Sequence, residues 1–416
     1  MLIFAFFATQ IAVSQNHTNS PYTRFGFGQL SDNTSGEQRA MGGVAIGARS
    51  SQRINTVNPA SYSVSDSLTF MFDIGLSTLS SRFTDEAGNR NTRFTGNLDY
   101  LTMQFRLFPG VGFSMGVLPY SFAGYNFFSS DSIAMPGFGE EPKQIHYTTS
   151  FHGSGGITQF YTGISLDVLS FFQTRSSLSL GANMYYMFGN YNNSASLVFQ
   201  SAEMVNSTRL NTISANNIRF RFGSQYHLPI SNSSNLTVGA IFEPKTSFNA
   251  QATRTMITHV SRTDTLSRAD FQLPLTLGFG AMYKLNNRWT FGADFSMQQW
   301  GDVLFFGERG TLQDSWNVAA GLEFLPNFRG RRMRDHILYR FGANVGQPYF
   351  LIGDEAPGKN FGITFGVGLP LPQTRTMLNF AFEYGRIGSS PLLREDYFKI
   401  TFNLALTETW FFQRRL

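Results

Sequence analysis

The chain contains no cysteine, which excludes disulfides, thiolate nucleophiles and Cys-ligated metal sites. Charge is scarce as well: 32 Lys and Arg and 27 Asp and Glu make up 14% of 416 residues, against about 25% in a soluble globular domain. That shortfall counts against a soluble enzyme. Beyond Ser14 no apolar run approaches the roughly 18 residues that a transmembrane helix requires, so a helical membrane protein is excluded too. The formal charge of +5 is spread thinly over this length and points to no nucleic-acid partner. What is present in quantity is Phe (44), Tyr (16) and Gly (40), with hydrophobic residues at 42%. Few charges and many aromatics at near-neutral hydropathy suit a transmembrane β-barrel, whose strands alternate lipid-facing and lumen-facing residues.

Leu2 to Val13 is apolar apart from Thr9 and Gln10, and Ala12-Val13-Ser14 precedes Gln15. Residues 1–14 therefore read as a signal peptide cleaved after Ser14. Met1 is followed directly by Leu2-Ile3-Phe4, so the basic n-region is missing and the start codon is expected to lie further upstream.

From Leu68 onward apolar residues recur at every second position, the strand period and not the helix period. Phe398, Ile400, Phe402, Leu404 and Leu406 share one face, with Tyr397, Lys399, Thr401, Asn403 and Thr407 on the other. Leu68, Phe70, Phe72, Ile74 and Leu76 alternate in the same way, as do Leu101, Met103, Phe105 and Leu107. Fourteen such blocks can be placed, the first four over Leu68–Ser80, Leu98–Phe108, Val111–Tyr120 and Ile157–Leu169, the last over Asp396–Thr407. An even number suits a single-chain antiparallel barrel. Pro109-Gly110 and Asn286-Asn287 are tight turns, whereas Ser121 to Gly156 and Gln251 to Asp270 read as long loops. Short turns on the periplasmic side put the N-terminus in the periplasm and the long loops outside the cell. The Asn327 to Arg334 turn, with Arg329, Arg331, Arg332 and Arg334, is the most basic of the short connections and reads as solvated.

Residues 15–67 do not alternate and are too poor in large apolar groups to form a core alone. A fourteen-stranded barrel over 68–416 leaves an open lumen, and this segment is its natural plug. Inward charges such as Asp73, Arg106, Asp167, Arg219, Arg221, Asp294, Glu323, Arg340, Glu383 and Lys399 are expected to pair with one another or with the plug, because an unpaired charge in a narrow lumen is costly.

Within the plug, Arg39-Ala40-Met41-Gly42-Gly43-Val44-Ala45 and Asn58-Pro59-Ala60 resemble the N-terminal hatch of the FadL/TodX-type family of outer-membrane transporters for long-chain fatty acids and other hydrophobic compounds. Trp300-Gly301-Asp302, Gly366 to Leu371, Glu383-Tyr384-Gly385-Arg386 and Trp410-Phe411-Phe412 are similar to a Bacteroidota-like branch of it. The resemblance implies passive transport of a fatty acid-like molecule, caught by outer loops, passed into the barrel and released sideways through an inward kink of the third strand. It assigns the hatch to Met41, Gly42, Gly43, Asn58, Pro59 and Ala60. The kink falls to Gly112 and Gly116, in a strand that ends at Pro119, which cannot donate to a ladder. The apolar residues Phe122, Tyr125, Phe127 and Phe128, followed by Ile133, Met135 and Phe138 in the outer loop, read as a ligand-entry groove, the alternative being a cap packed on itself.

Catalytic machinery, metal and cofactor are not expected. The six histidines, His17, His146, His152, His227, His259 and His336, are scattered, Glu140-Glu141 reads as a solvated acidic tip, and no Ser-His-acid set can be placed on neighbouring strands. The expected partners are a hydrophobic small molecule, outer-membrane lipids and the barrel-assembly machinery that inserts the chain. The rival reading is a type IX secretion-associated or envelope-assembly adaptor barrel that binds proteins. A protein-binding barrel should present a large rigid outer surface, a transporter an apolar groove continuous with the lumen.

Overall fold

The structure is a computed structural model and describes residues 18–409, apart from 87, 136–142, 170–174, 202–203, 267–270, 328, 354, 373 and 390–391. Fourteen antiparallel strands close into a barrel: β1 (Thr69–Thr84), β2 (Arg90–Phe108), β3 (Val111–Met135), β4 (Lys143–Asp167), β5 (Ser177–Phe199), β6 (Ser207–Pro229), β7 (Asn235–Glu243), β8 (Thr276–Leu285), β9 (Trp289–Gln298), β10 (Ser315–Phe324), β11 (Leu338–Gln347), β12 (Asn360–Pro370), β13 (Met377–Ile387) and β14 (Arg394–Thr409). The ring closes by an unbroken ladder between β14 and β1, from Arg394 opposite Thr84 to Thr409 opposite Thr69.

Period two sets which side chain faces which medium. In β1 the even positions Phe70, Phe72, Ile74 and Leu76 point out, while Met71, Asp73 and Ser77 are buried inside. Ile363, Phe279, Phe341, Phe398 and Phe220 continue the exposed apolar belt around the wall. An apolar belt of this kind, with every backbone group inside a closed ladder, is how a sheet meets lipid.

Tight turns sit at one end, where Asn286 and Asn287 both adopt positive φ. At the other end the strands lengthen far beyond a bilayer. The segments 121–135 and 143–156, expected as loop, form one continuous hairpin of β3 with β4, from Ser121 opposite Ile157 to Met135 opposite Lys143. Its polar tip, with Phe138, Glu140 and Glu141, lies outside the described residues, as do the proposed signal peptide and Trp410 to Phe412. Strands β5 and β6 extend in the same way, and a further hairpin of Ala250–Ile257 with Ser261–Leu266, inside the second expected loop, adds itself to β6 from Ala215 to Thr208. Above the membrane no lipid enforces an apolar face, so Ser, Thr and Asn replace the outward hydrophobics although the strands continue.

Candidate functional site

The N-terminal segment crosses the lumen from end to end. Tyr22 donates to the Leu393 carbonyl, and Ser20 to Glu395, at the long-hairpin end. Ser65 accepts from Gln104 at 2.6 Å and Asp66 meets Arg375 at 3.1 Å at the tight-turn end. If the tight turns are periplasmic, the first described residues of the plug sit at the outer end. The expectation of a periplasmic N-terminus followed from the short turns, and the segment before Thr18 lies outside the described residues.

Side chains on most of the wall hold the plug. A short helix α1 (Gly36–Ala40) begins in a capping box between Ser35 and Gln38. From it Arg39, buried, pairs with Asp99 of β2 and reaches Thr401 of β14 at 3.4 Å. Burial works against the Arg39 charge, but Asp99 and Asp32 outweigh it and hold the guanidinium above the ordinary arginine range. Gly42 donates to Thr364 of β12 at 2.9 Å, and Asp294 of β9 accepts from the Ala45 and Ile46 amides at 2.6 and 2.7 Å. Arg53 lies 3.2 Å from Glu323 of β10 and 3.1 Å from Glu37 of α1. Arg49 binds Ser177 and Ser179 of β5, and Arg221 of β6 donates to the Val57 carbonyl at 3.2 Å while pairing with Glu243.

The proposed hatch residues are all brought into this contact zone. The Asn58 side-chain amide, fully buried, donates to the carbonyls of Ile46 at 2.8 Å and Ser224 of β6 at 3.1 Å, and its oxygen accepts from Ala60 N at 3.1 Å, capping the turn Pro59–Val64. Pro59 and Ala60 press on Gly181 of β5, where an added Cβ would stand 2.5 Å from the Pro59 carbonyl carbon. Met41 packs on Val44 and Ala319. Gly42 has φ +74° and an added Cβ would meet the Ala343 nitrogen at 2.8 Å; Gly43 has φ +93° with open space beside it. Gly112 lies in the ladder opposite Arg106, directly under the Tyr62 carbonyl of the plug, and Gly116 lies opposite Thr102.

The outer end is closed by aromatic packing. Trp300 and Phe271 are fully buried with Phe27 of the plug, ring centroids 5.9 and 6.2 Å from it, and Trp300 stacks obliquely on Tyr349 at 4.6 Å. The Tyr349 hydroxyl accepts from Phe27 N at 2.9 Å and donates to the Gly28 carbonyl at 2.6 Å. Of the residues expected to guide ligand inward, Phe122 is half-buried, Tyr125 is fully buried and donates to Asn193, Phe127 packs between Tyr125 and Phe151, and Phe128 is exposed. They stand on paired β3 and not on a free loop.

Among the described residues the wall has a seam between β2 and β3. β2 and β3 are paired only from Phe108–Val111 up to Leu101–Val117. At its foot each lip carries a bulge. Against β1 the register jumps from Tyr100 to Leu98, which turns Asp99 inward onto Arg39; against β4 it jumps from Pro119 to Ser121, which turns Tyr120 inward. Bulges re-aim side chains and bend strands in this way. On the β3 lip the plug supplies the missing strand: Gln29 and Leu30 pair with Phe122 and Ser121, and Ser31 N donates to the Tyr120 carbonyl at 2.9 Å. The bend carries into β4 at Gly155, φ +108°. The strand alternation in the sequence gave no sign of this seam; in the structure each bulge shows as two consecutive buried residues, Asp99-Tyr100 on β2 and Tyr120-Ser121 on β3.

Among the described residues, two small cavities lie against the plug. A cavity of about 40 Å³ lies beside Tyr120, Arg219, Arg221 and Glu243, and one of about 50 Å³ beside Met41, Arg53, Glu323 and Arg340. A polar vestibule of about 550 Å³ opens at the tight-turn end, lined by Arg49, Asp66, Arg106, Asp167 and Arg375.

The sequence model of the BamG family matches residues 1–416. No curated protein matches the chain. Among solved structures, a toluene transporter TbuX of Ralstonia pickettii superposes with a TM-score of 0.57 at 14% identity, covering 90% of this chain and 98% of its own. A FadL homologue of Pseudomonas aeruginosa gives 0.58 at 11% identity, with 91% and 98% covered. The toluene transporter TodX of Pseudomonas putida gives 0.54 at 14%, with 92% and 99% covered. At these identities the likeness is one of fold: a plugged fourteen-stranded barrel of the FadL/TodX type.

Proposed function

The chain belongs to the BamG family over its whole length, and from that premise we propose that it is an outer-membrane adaptor barrel acting in envelope assembly by binding protein partners, without covalent chemistry. The observation that carries this reading is the filled lumen. A site for a hydrophobic small molecule is an apolar cleft of about 300 Å³ or more, whereas the two cavities against the plug hold about 40 and 50 Å³, Arg and Glu side chains standing there beside apolar ones such as Leu30, Leu273, Met41 and Val44. Such volumes suit a few waters. The outer surface agrees: the long hairpins are paired strands, the residues expected to guide ligand inward stand on them with Tyr125 buried, and Trp300, Tyr349 and Phe27 pack together at the outer end. Native mass spectrometry of the protein extracted from membranes in mild detergent tests this. A stoichiometric protein companion is expected; a barrel that carries only a fatty acid or aromatic hydrocarbon overturns the reading.

A second reading, diffusion of a hydrophobic molecule with lateral exit, is favoured by the seam between β2 and β3. The structural neighbours are toluene transporters and a FadL homologue. In this reading the hatch residues Met41 to Gly43 and Asn58 to Ala60 withdraw to open a path, and ligand passes Phe122, Tyr125, Phe127 and Phe128 before leaving beside β3, which Gly112 and Gly116 help to bend.

A further inference from the structure

The two ends of the barrel differ in charge. The six short connections at the tight-turn end, 109–110, 168–176, 230–234, 286–288, 325–337 and 371–376, hold seven arginines, no lysine and one acidic residue, Asp335. The connections at the opposite end hold twelve Asp and Glu against six Lys and Arg. Solvation requires that a turn be polar, not that it carry one sign of charge, and like charges crowded within a Debye length of about 8 Å repel. Arg329, Arg331, Arg332 and Arg334 lie within six positions, and their loop is stitched to itself. Asn327 N donates to the Asp335 carbonyl at 3.0 Å, Arg332 N to the Asp335 carboxylate at 3.3 Å, and the His336 ring to the Gly330 carbonyl at 2.8 Å. The one carboxylate of the loop is thus engaged by its own backbone. Among the described residues Arg331, Arg332 and Arg334, all exposed, have no carboxylate within ion-pair reach.

The basic patch is continuous with the barrel mouth. Arg288 stands at the base of the loop, its carbonyl accepting from Leu325 N at 2.8 Å. Arg375, on the connection from β12 to β13, meets Asp66 of the plug at 3.1 Å and lines the polar vestibule together with Arg49 and Arg106. From this we propose that the tight-turn end is a docking surface for an Asp- and Glu-rich segment of a periplasmic protein, seated on the 325–337 loop and reaching over the mouth toward Arg375. Arginine to the exclusion of lysine suits carboxylates, which the guanidinium fork holds bidentately. Phosphate headgroups share that chemistry, but Arg106 and Arg375 line the mouth of the barrel, which the surrounding lipid does not reach. Met333, 50% exposed in the turn Met333–His336, sets an apolar contact among the cations, and Met and Arg together are what protein interfaces favour. The proposal takes the tight turns as periplasmic, rests on the adaptor reading and gives it a contact face.

The test is photo-cross-linking in intact cells from benzoylphenylalanine placed at Met333, with Val260, 74% exposed on the hairpin at the opposite end, as the control. The expected result is an adduct at Met333, absent at Val260, whose cross-linked peptide belongs to an acidic stretch of another protein. Arg331→Gln, Arg332→Gln and Arg334→Gln combined should leave the heat-dependent gel shift of the barrel unchanged and lower the adduct about tenfold, the joint scale of three exposed ion pairs. In isolated membranes, raising sodium chloride from about 0.05 to about 0.5 M should lower the adduct with all arginines in place, since salt screens exposed charges. A phospholipid adduct, a peptide of a second copy of this chain, a peptide without acidic residues, or the same adduct at Val260 overturns the proposal. So does a yield indifferent to salt or, with the barrel folded, to the substitutions. If a stoichiometric partner co-purifies but does not cross-link at Met333, the docking surface falls and the adaptor reading stands. If no protein co-purifies, both fall.

Discussion

Arg340 and Glu323 stand directly opposite one another in the ladder between β10 and β11, their side chains 2.7 Å apart, with Arg340 fully buried. Two strands of the wall thereby share an ion pair that the plug completes, since Arg53 meets the same carboxylate at 3.2 Å and Glu37 stands 3.5 Å from Arg340. The arrangement belongs to a plug fixed in place. Desolvating four charges is costly, and the cost is offset only while all of them are seated.

Glu323→Gln should therefore destabilise the barrel by about 3–5 kcal/mol, because it leaves Arg340 and Arg53 facing each other without their shared carboxylate. Urea unfolding in detergent micelles, followed by the heat-dependent shift in gel mobility, measures it. An unchanged midpoint contradicts the ion cluster as the plug's main anchor.

Asn58→Ala should cost about 1–3 kcal/mol, since the Ile46 and Ser224 carbonyls lose their donor inside the lumen. Limited proteolysis of the folded barrel should then cut within the plug where the parent resists. If transport through the hatch is the true activity, the same variant raises uptake while the folded yield holds.

The adjacent plug glycines Gly42 and Gly43 should separate cleanly. Both have positive φ, but an Ala at 42 would also drive its Cβ against the backbone of Ala343 and Ala320, whereas one at 43 enters open space. Gly43→Ala should cost about 1–2 kcal/mol from backbone strain alone, and Gly42→Ala clearly more. Equal thermal shifts for the two contradict the close approach of plug and wall.

Trp300→Ala opens the outer closure. Loss of a fully buried Trp costs about 3–5 kcal/mol, and the ring packs on both Phe27 and Tyr349. Proteoliposomes with this variant should swell faster in small sugars than those with the parent. Identical swelling removes the aromatic cluster from the seal.

The wall was legible in the sequence because lipid enforces a period of two: each of the fourteen expected blocks has its strand. The hairpin above Ser121 was not, since outside the bilayer polar residues such as Asn126, Ser130 and Ser132 take outward positions beside Phe128, and the alternation fades while the pairing continues. Inward charges were expected to pair with each other or with the plug, and Arg340 with Glu323, and Asp294 with the Ala45 and Ile46 amides, do so. Which charge meets which was not legible, because Arg39 and Asp99 are joined by a bulge that only the register of β1 against β2 reveals. The resemblance in Arg39 to Ala45 located the plug, yet gave no indication that Gln29 and Leu30 complete the edge of β3.

The central claim is that the plug fills this barrel and that the protein works through its surfaces. The most direct measurement is uptake of radiolabelled long-chain fatty acid and of a monoaromatic hydrocarbon into proteoliposomes containing the purified protein. Rates equal to those of protein-free liposomes are predicted; saturable, protein-dependent uptake would contradict the claim.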